Sequence, residues 1–230
     1  MRVDVITAFP EIIDEPLHSS IPAQAEKKGA AAYYIHDLRD FTTDKHRQID
    51  DTPYGGGPGM ILKPEPLFRA IEFVRQECET HEQCEVIFPT PQGEPYSQET
   101  AEELSGLTHL IFVCGHYKGV DERVREQLIT REISLGDFVL SGGEIPTLAI
   151  IDSVVRLLPG VLQDPESATT DSFSEELLDG PHYTRPAEFR GMRVPEILLS
   201  GHHENIANWR QEKREERTRT RRKDLIAKRK

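Results

Sequence analysis

The chain has 230 residues, 37% hydrophobic and 30% charged, with a formal net charge of −12. That composition supports one sizeable core, as a single large domain or a main domain with a small appendage. No apolar run approaches the roughly 18 residues that cross a bilayer, which argues against a membrane-spanning class. Cys78, Cys84 and Cys114 lack CxxC spacing and a histidine at zinc-finger distance, so they read as reduced thiols of a cytoplasmic protein and not as a structural zinc site.

The N-terminus, MRVDVITAFPEII, interrupts its apolar residues with Arg2, Asp4 and Glu11, so 2–9 reads as a first strand and not a signal peptide. A helical segment around 11–20 leads to a second strand at 31–38. The loop DDTPYGGGPGM, residues 50–60, has too many glycines and prolines for a helix or central strand. It is either a flexible linker or, given Tyr54, Met60 and the acidic pair, an ordered loop at an interface. Pro66 suits the first turn of a helix over 66–78. Residues 85–90 and 109–115 are short apolar runs bounded by Pro and Gly, as buried parallel strands are. Helices follow at 97–104, capped by Ser97, and at 121–129, with Asp121 as N-cap. A short strand at 132–135 enters a glycine loop, and Pro146 starts an apolar helix carrying Arg156. Strands alternating with helices indicate an α/β layer structure.

A boundary falls after Leu162, where QDPESATTD is polar and contains a proline. Beyond it come a short helical piece at 173–178, a turn-rich segment and a basic helix from about Glu204. Residues 210–230 contain eleven Lys or Arg against four Asp or Glu, so the rest of the chain is more acidic than the total suggests. A basic arm on an acidic body is either a polyanion contact or a solvated terminal helix.

Three loops at strand ends, Pro91-Gln92-Gly93, 115–119 and 134–146, converge if the strands are adjacent, since open parallel sheets bind ligands beyond their carboxyl ends. Neither GxGxxG nor GxxxxGK[ST] occurs, which disfavours a standard dinucleotide fold and a P-loop NTPase. Asp137-Phe138-Val139-Leu140 is largely apolar, suiting a flat, partly apolar group better than phosphate. Arg156 reads either as an exposed i,i+4 partner of Asp152 or as a guanidinium at a pocket edge. Asp171 is either the N-cap of the following helix or a carboxylate delivered to a site by loop closure.

DKHRQIDDTPYGGGPGM, PQG, GHYKGVDERV, SLGDFVLSGGEIP, IDSVVRLLPGVL, SATTDSF, LLDGPHYTRP and VPEILLSGHH occur in this order from residue 44 to 203. Together they closely resemble the bacterial tRNA (guanine-N1)-methyltransferases that modify position 37, next to the anticodon. The resemblance implies a SPOUT-type α/β fold with a deep trefoil knot in a mainly parallel sheet, against the usual rule of unthreaded chains. It implies a knotted catalytic domain at 1–162, a flexible linker at 163–172 and a small, mostly helical, basic tRNA-binding domain at 173–230. S-adenosyl-L-methionine would be held by Phe88, Thr90, Pro91, Gln92, Gly115, Tyr117 and Gly119. Ser134, Leu135, Gly136, Asp137, Phe138, Val139, Leu140, Gly142, Gly143 and Pro146 would complete that pocket. By the same resemblance Asp171 is the general base, Arg156 stabilises charge on the guanine, and Asp50, Gly57, Gly59 and Arg185 contact RNA.

The implied partners are tRNA with guanosine 37 and a second copy of the chain, whose dimer brings the linker of one subunit over the knot of the other. Many members have an acidic residue, associated with magnesium in metal-dependent members, where this chain has Lys118, and an arginine where it has His116. Mg2+ therefore stays open as a second cofactor and no metal ligand is assigned. Phe88 stands where a tyrosine is common. The rivals are a non-catalytic RNA-binding protein with a degenerate pocket and a SPOUT enzyme acting at another RNA position.

Overall fold

A computed structural model describes residues 1–76, 83–162, 171–173 and 176–228. The chain divides into two compact units, Met1–Gln163 and Asp164–Lys230.

The first unit is built on a five-stranded sheet of β1 (Arg2–Thr7), β2 (Ala32–Asp37), β5 (Cys84–Pro95), β6 (His109–Val113) and β7 (Arg131–Ser134). All its pairings are parallel, in the order β2-β1-β6-β5-β7. Every residue of the central strand β6 is buried, because helices cover both faces of the sheet. Its alternate residues divide between two cores. Leu110 and Phe112 face α1 (Pro10–Leu17), α2 (Ser20–Lys27), α4 (Gln98–Ser105) and α6 (Glu144–Val155). Ile111 and Val113 face α3 (Pro64–Arg75) and α5 (Glu122–Leu128). Period-two burial of β-branched and aromatic residues on both sides is what fixes the register.

The helices start where their caps allow. Ser97 Oγ accepts from the Thr100 amide and Asp121 Oδ1 from the Arg123 amide, satisfying first-turn N–H groups that have no helical carbonyl. α6 begins at Glu144, two residues before the start expected from Pro146. A proline at the third helical position removes an amide that would have no partner there anyway. The helix expected around 11–20 is two helices, broken at His18 and Ser19, and α2 was not anticipated. The glycine loop 50–60 is closed by the two-residue ladder of β3 (Asp50–Asp51) with β4 (Ile61–Leu62), so it is ordered and is no linker.

One buried charge cluster lies within the sheet. The Asp4 carboxylate, 0% exposed, receives Arg2 Nε, His36 Nε2 and His109 Nε2, each at 2.7 Å. The register puts all four side chains on one face, since Arg2 pairs with His109 and Ile6 with His36. Burial pushes this carboxyl up, but the hydrogen bonds from His109, His36 and Arg2 outweigh it and hold it well below the usual carboxylate range.

In the second unit the 19-residue helix α7 (His203–Arg221) and α8 (Lys223–Lys228) follow a hairpin of β8 (Glu188–Phe189) and β9 (Met192–Arg193). Arg190 and Gly191, at φ 51° and 75°, supply the two left-handed turn residues that such a tight hairpin requires. The helix expected at 173–178 is not formed by the described residues. Phe173 and Glu176 have φ of 79° and 57°, and the Phe173 amide donates to the Leu177 carbonyl, against the helical direction. This segment bonds to α7 instead: the Leu178 amide donates to the buried Thr218 hydroxyl, and Arg217 Nη1 donates to the Asp179 and Gly180 carbonyls. Part of the basic arm is therefore structural.

Candidate functional site

The carboxyl ends of β5, β6 and β7 open onto a cavity of about 350 Å³. Its first wall is made by an interruption in β5. Ile133 of β7 pairs with both Pro89 and Glu94, so residues 90–93 loop out of the sheet and the strand then resumes. Gly93 is where the chain returns. A Cβ there would lie 2.5 Å from the Glu132 carbonyl carbon, so any side chain would force the two strands apart. This gives the PQG tripeptide its physical meaning.

The second wall is 115–119, following β6. Gly115 leaves room for the Phe88 ring, 2.8 Å from where a Cβ would stand. Tyr117 is held at φ 60°, a left-handed conformation uncommon for a non-glycine residue, with its ring half-exposed towards the cavity. The third wall is the loop from Ser134 to Pro146. The Gly143 amide donates to the Gly115 carbonyl at 2.8 Å, and a Cβ on Gly143 would be 2.9 Å from the Cys114 Cα. The second and third loops are thus in backbone contact, and only glycine permits it.

Along the third loop Phe138, Val139 and Leu140 are exposed, Val139 by 83%. Apolar side chains held around a concavity with few charges suit a flat, uncharged ring better than a polyanion. Among the cavity's lining residues the Lys, Arg, Asp and Glu side chains are represented by Lys118 alone.

Of the residues expected to hold the cofactor, all but Asp137 line this cavity. Asp137 is exposed and outside the lining. Pro89, His116, Lys118, Ile133 and Ser141 also line it, although none of them was among the residues expected to hold the cofactor. Arg156 is not among the lining residues; it is half-buried as the C-cap of α6, its amide donating to the Asp152 carbonyl at 3.3 Å. Asp171 belongs to the second unit and is half-buried. Most of the linker, residues 163–170, and Cys78 lie outside the described residues.

Asp50 sits in β3, and Gly57 and Gly59 lie in the loop it opens. That loop is joined to the cavity's second wall. The Lys118 amide donates to the Met60 carbonyl and the Leu62 amide to the Gly119 carbonyl, both at 3.0 Å, and the Lys118 stem passes over Gly59. In the second unit Arg185 and Arg210 line a separate cavity of about 380 Å³ with Tyr183 and Leu198.

Behind the pocket is a group that the sequence reading passed over. Glu144, 3% exposed, accepts a hydrogen bond from the Thr7 hydroxyl at 2.7 Å, and its second oxygen lies 4.0 Å from His116 Nδ1. The Cys114 thiol, bonded to Thr147 at 3.3 Å, is pushed up by burial and by the Glu144 charge, so it stays protonated and inert. An acidic residue at a helix start is ordinary in sequence; nothing local marks it as buried against a residue 137 positions away.

Among the described residues no group of three His, Cys, Asp or Glu converges to hold a metal ion, and no helix is long and apolar enough to cross a membrane. The sequence profile of the family described as tRNA (Guanine-1)-methyltransferase TrmD matches residues 1–228. A protein of Brevibacillus brevis named tRNA (guanine-N(1)-)-methyltransferase is 54% identical over 228 residues, covering 99% of this chain and 92% of its own. Proteins of the same name from Bacillus cereus and Anoxybacillus flavithermus are 53% and 52% identical, each over 98% of this chain and 92% and 91% of theirs. A match of this extent, carried on an α/β unit with a mainly parallel sheet, makes the chain a member of the tRNA (guanine-1)-methyltransferase family.

Proposed function

We propose that the protein transfers a methyl group from S-adenosyl-L-methionine to N1 of guanosine 37 in tRNA. The observation that carries this is the cavity at the strand ends: three loops whose glycines allow backbone-to-backbone approach, lined by apolar side chains and by a single Lys among the charged types. These residues fit the adenosyl group, because exposed Phe138 and Leu140 offer apolar surface to a purine while loop amides and carbonyls can read its edge. The knotted topology belongs to the same proposal. It is supported by the return of the third loop across the end of β6, where Gly143 meets Cys114 and Gly115.

When bound, the cofactor supplies an electrophilic methyl group on a positively charged sulfur. Guanine N1 carries a proton at neutral pH and is a poor nucleophile until that proton is removed. We assign the removal to Asp171 and stabilisation of the charge left on the guanine, at O6, to Arg156. A carboxylate is a weak base for this task, so orientation and exclusion of water must supply most of the effect. A homodimer, in which residues 163–172 of one subunit serve the site of the other, accounts for a base carried outside the first unit. Asp50, Gly57 and Gly59 beside the second wall, and Arg185 with basic side chains of α7, are the proposed RNA contacts. Phosphate contacts give affinity, and the target guanine is read after it is splayed out of its stack.

Asp171→Asn and Arg156→Ala should each lower methyl transfer by at least about 10²-fold, while calorimetry shows adenosylmethionine binding nearly unchanged. Full activity in Asp171→Asn overturns the assignment of the base.

A further inference from the structure

His116 and Glu144 are the two polar side chains at the back of the cavity that the proposed chemistry leaves without a task. Glu144 opens α6, so its carboxylate sits at the positive end of the helix dipole. Thr7 ends β1, and its hydroxyl accepts from the Phe9 amide at 2.9 Å, which directs its own proton to Glu144 Oε1. The other oxygen, Oε2, points at His116 Nδ1 from 4.0 Å, beyond hydrogen-bond range. That Nδ1 is buried and has no hydrogen-bond partner among the described residues. A buried polar atom without a partner is costly, and one short movement would relieve that cost here.

The surroundings are arranged for such a movement. His116 sits between the Phe9 ring, 4.5 Å away and tilted, and the Tyr117 ring, 4.9 Å away and edge-on. Behind it runs the third loop, joined by an antiparallel bridge between His116 and Gly142. A Cβ on Gly142 would lie 2.6 Å from His116 Nδ1 and collide with Glu144 Oε2, so glycine keeps the line between the two side chains open. Lys118, the nearest other charged group on the loop, has its stem over Gly59. His116 and Gly142 both line the cavity, one in each of two neighbouring walls.

We propose that Glu144 is a positioning residue for the cofactor pocket: it closes onto His116 Nδ1 when the cofactor binds, and thereby locks the second and third loops together. The anchor is Thr7 at the end of β1, and the moving part is the His116 loop. Glu144 touches no reacting atom, so its effect falls on cofactor affinity and not on the methyl-transfer step. Closure replaces the 4.0 Å gap by a hydrogen bond to the carboxylate, so loss of the acceptor or of its anchor weakens cofactor binding. The inference rests on the adenosylmethionine reading of the cavity.

The test uses full-length protein labelled with 15N-histidine, and S-adenosylhomocysteine as the titrated ligand. In the wild type the His116 ring signals should shift on saturation. Glu144→Gln should raise Kd about tenfold, corresponding to loss of one charged hydrogen bond, remove that shift and leave kcat at saturating cofactor within a few-fold. Thr7→Val, which removes only the anchor, should move Kd the same way by less. Glu144→Gln and Thr7→Val variants that fold yet bind with wild-type Kd overturn the inference. If wild-type protein binds no S-adenosylhomocysteine, the cofactor reading itself fails, and a His116 signal that still responds to Glu144→Gln shows that the contact exists without it.

Discussion

Asp4 and Glu144 are both buried carboxylates tied to β1, at 0% and 3% exposure, yet the molecule treats them in opposite ways. Asp4 lies mid-strand and receives three side chains at 2.7 Å, all from the same face of the sheet. Glu144, reached through Thr7 three residues further on, receives the Thr7 hydroxyl and leaves His116 at 4.0 Å. A fully partnered buried charge resists change, because removing any partner strands the rest. An incompletely partnered one can still gain a contact, which is what a ligand-responsive site needs. The difference teaches where this sheet is scaffold and where it is site.

The largest effect should come from breaking the closed cluster. Asp4→Asn should lower unfolding stability by about 3 kcal/mol, read as a fall in the urea midpoint, with cofactor affinity unchanged in the protein that remains folded. A next, smaller effect concerns the walls of the site. Gly93→Ala should cost about 1–3 kcal/mol of strain and weaken cofactor binding, because β5 cannot return against β7 without displacing the backbone at Glu132 and Ile133.

Acid separates the two carboxylates further. Asp4 is depressed in the folded state, so its contribution is present above the ordinary carboxylate range near pH 4 and is lost as pH falls below it. Wild-type stability should therefore fall more steeply than that of Asp4→Asn between about pH 4 and 2; parallel curves would remove the cluster's claimed role. The smallest expected effect is on Cys114, whose buried, protonated thiol should react with an alkylating reagent only as fast as the protein opens.

Much of the scaffold can be read from residues alone. The runs at 85–90 and 109–115 are apolar and bounded by Pro and Gly, and they become β5 and β6 with ends displaced by a few residues. The convergence of three loops follows from strand adjacency, and the PQG tripeptide marks one of them. Other features have no local signal. α2 is obscured by the His18-Ser19 break, and the β8–β9 hairpin has strands of two exposed residues each. The segment at 173–178 has helical residue types, yet its described residues Phe173 and Glu176 have left-handed φ and Leu178 bonds to Thr218, 40 residues away. Asp4 and Glu144 read as a strand polar residue and a helix-start acid, because the partners His36, His109 and Thr7 that bury them are 32 to 137 positions distant.

The most direct test of the central claim is to incubate the protein with an unmodified tRNA transcript and methyl-labelled adenosylmethionine, then map the methylated nucleotide by nuclease digestion and mass spectrometry. The expected product is a single N1-methylguanosine at position 37, lost in Arg156→Ala. A methyl group at another position, or binding of tRNA with no transfer at all, would contradict it.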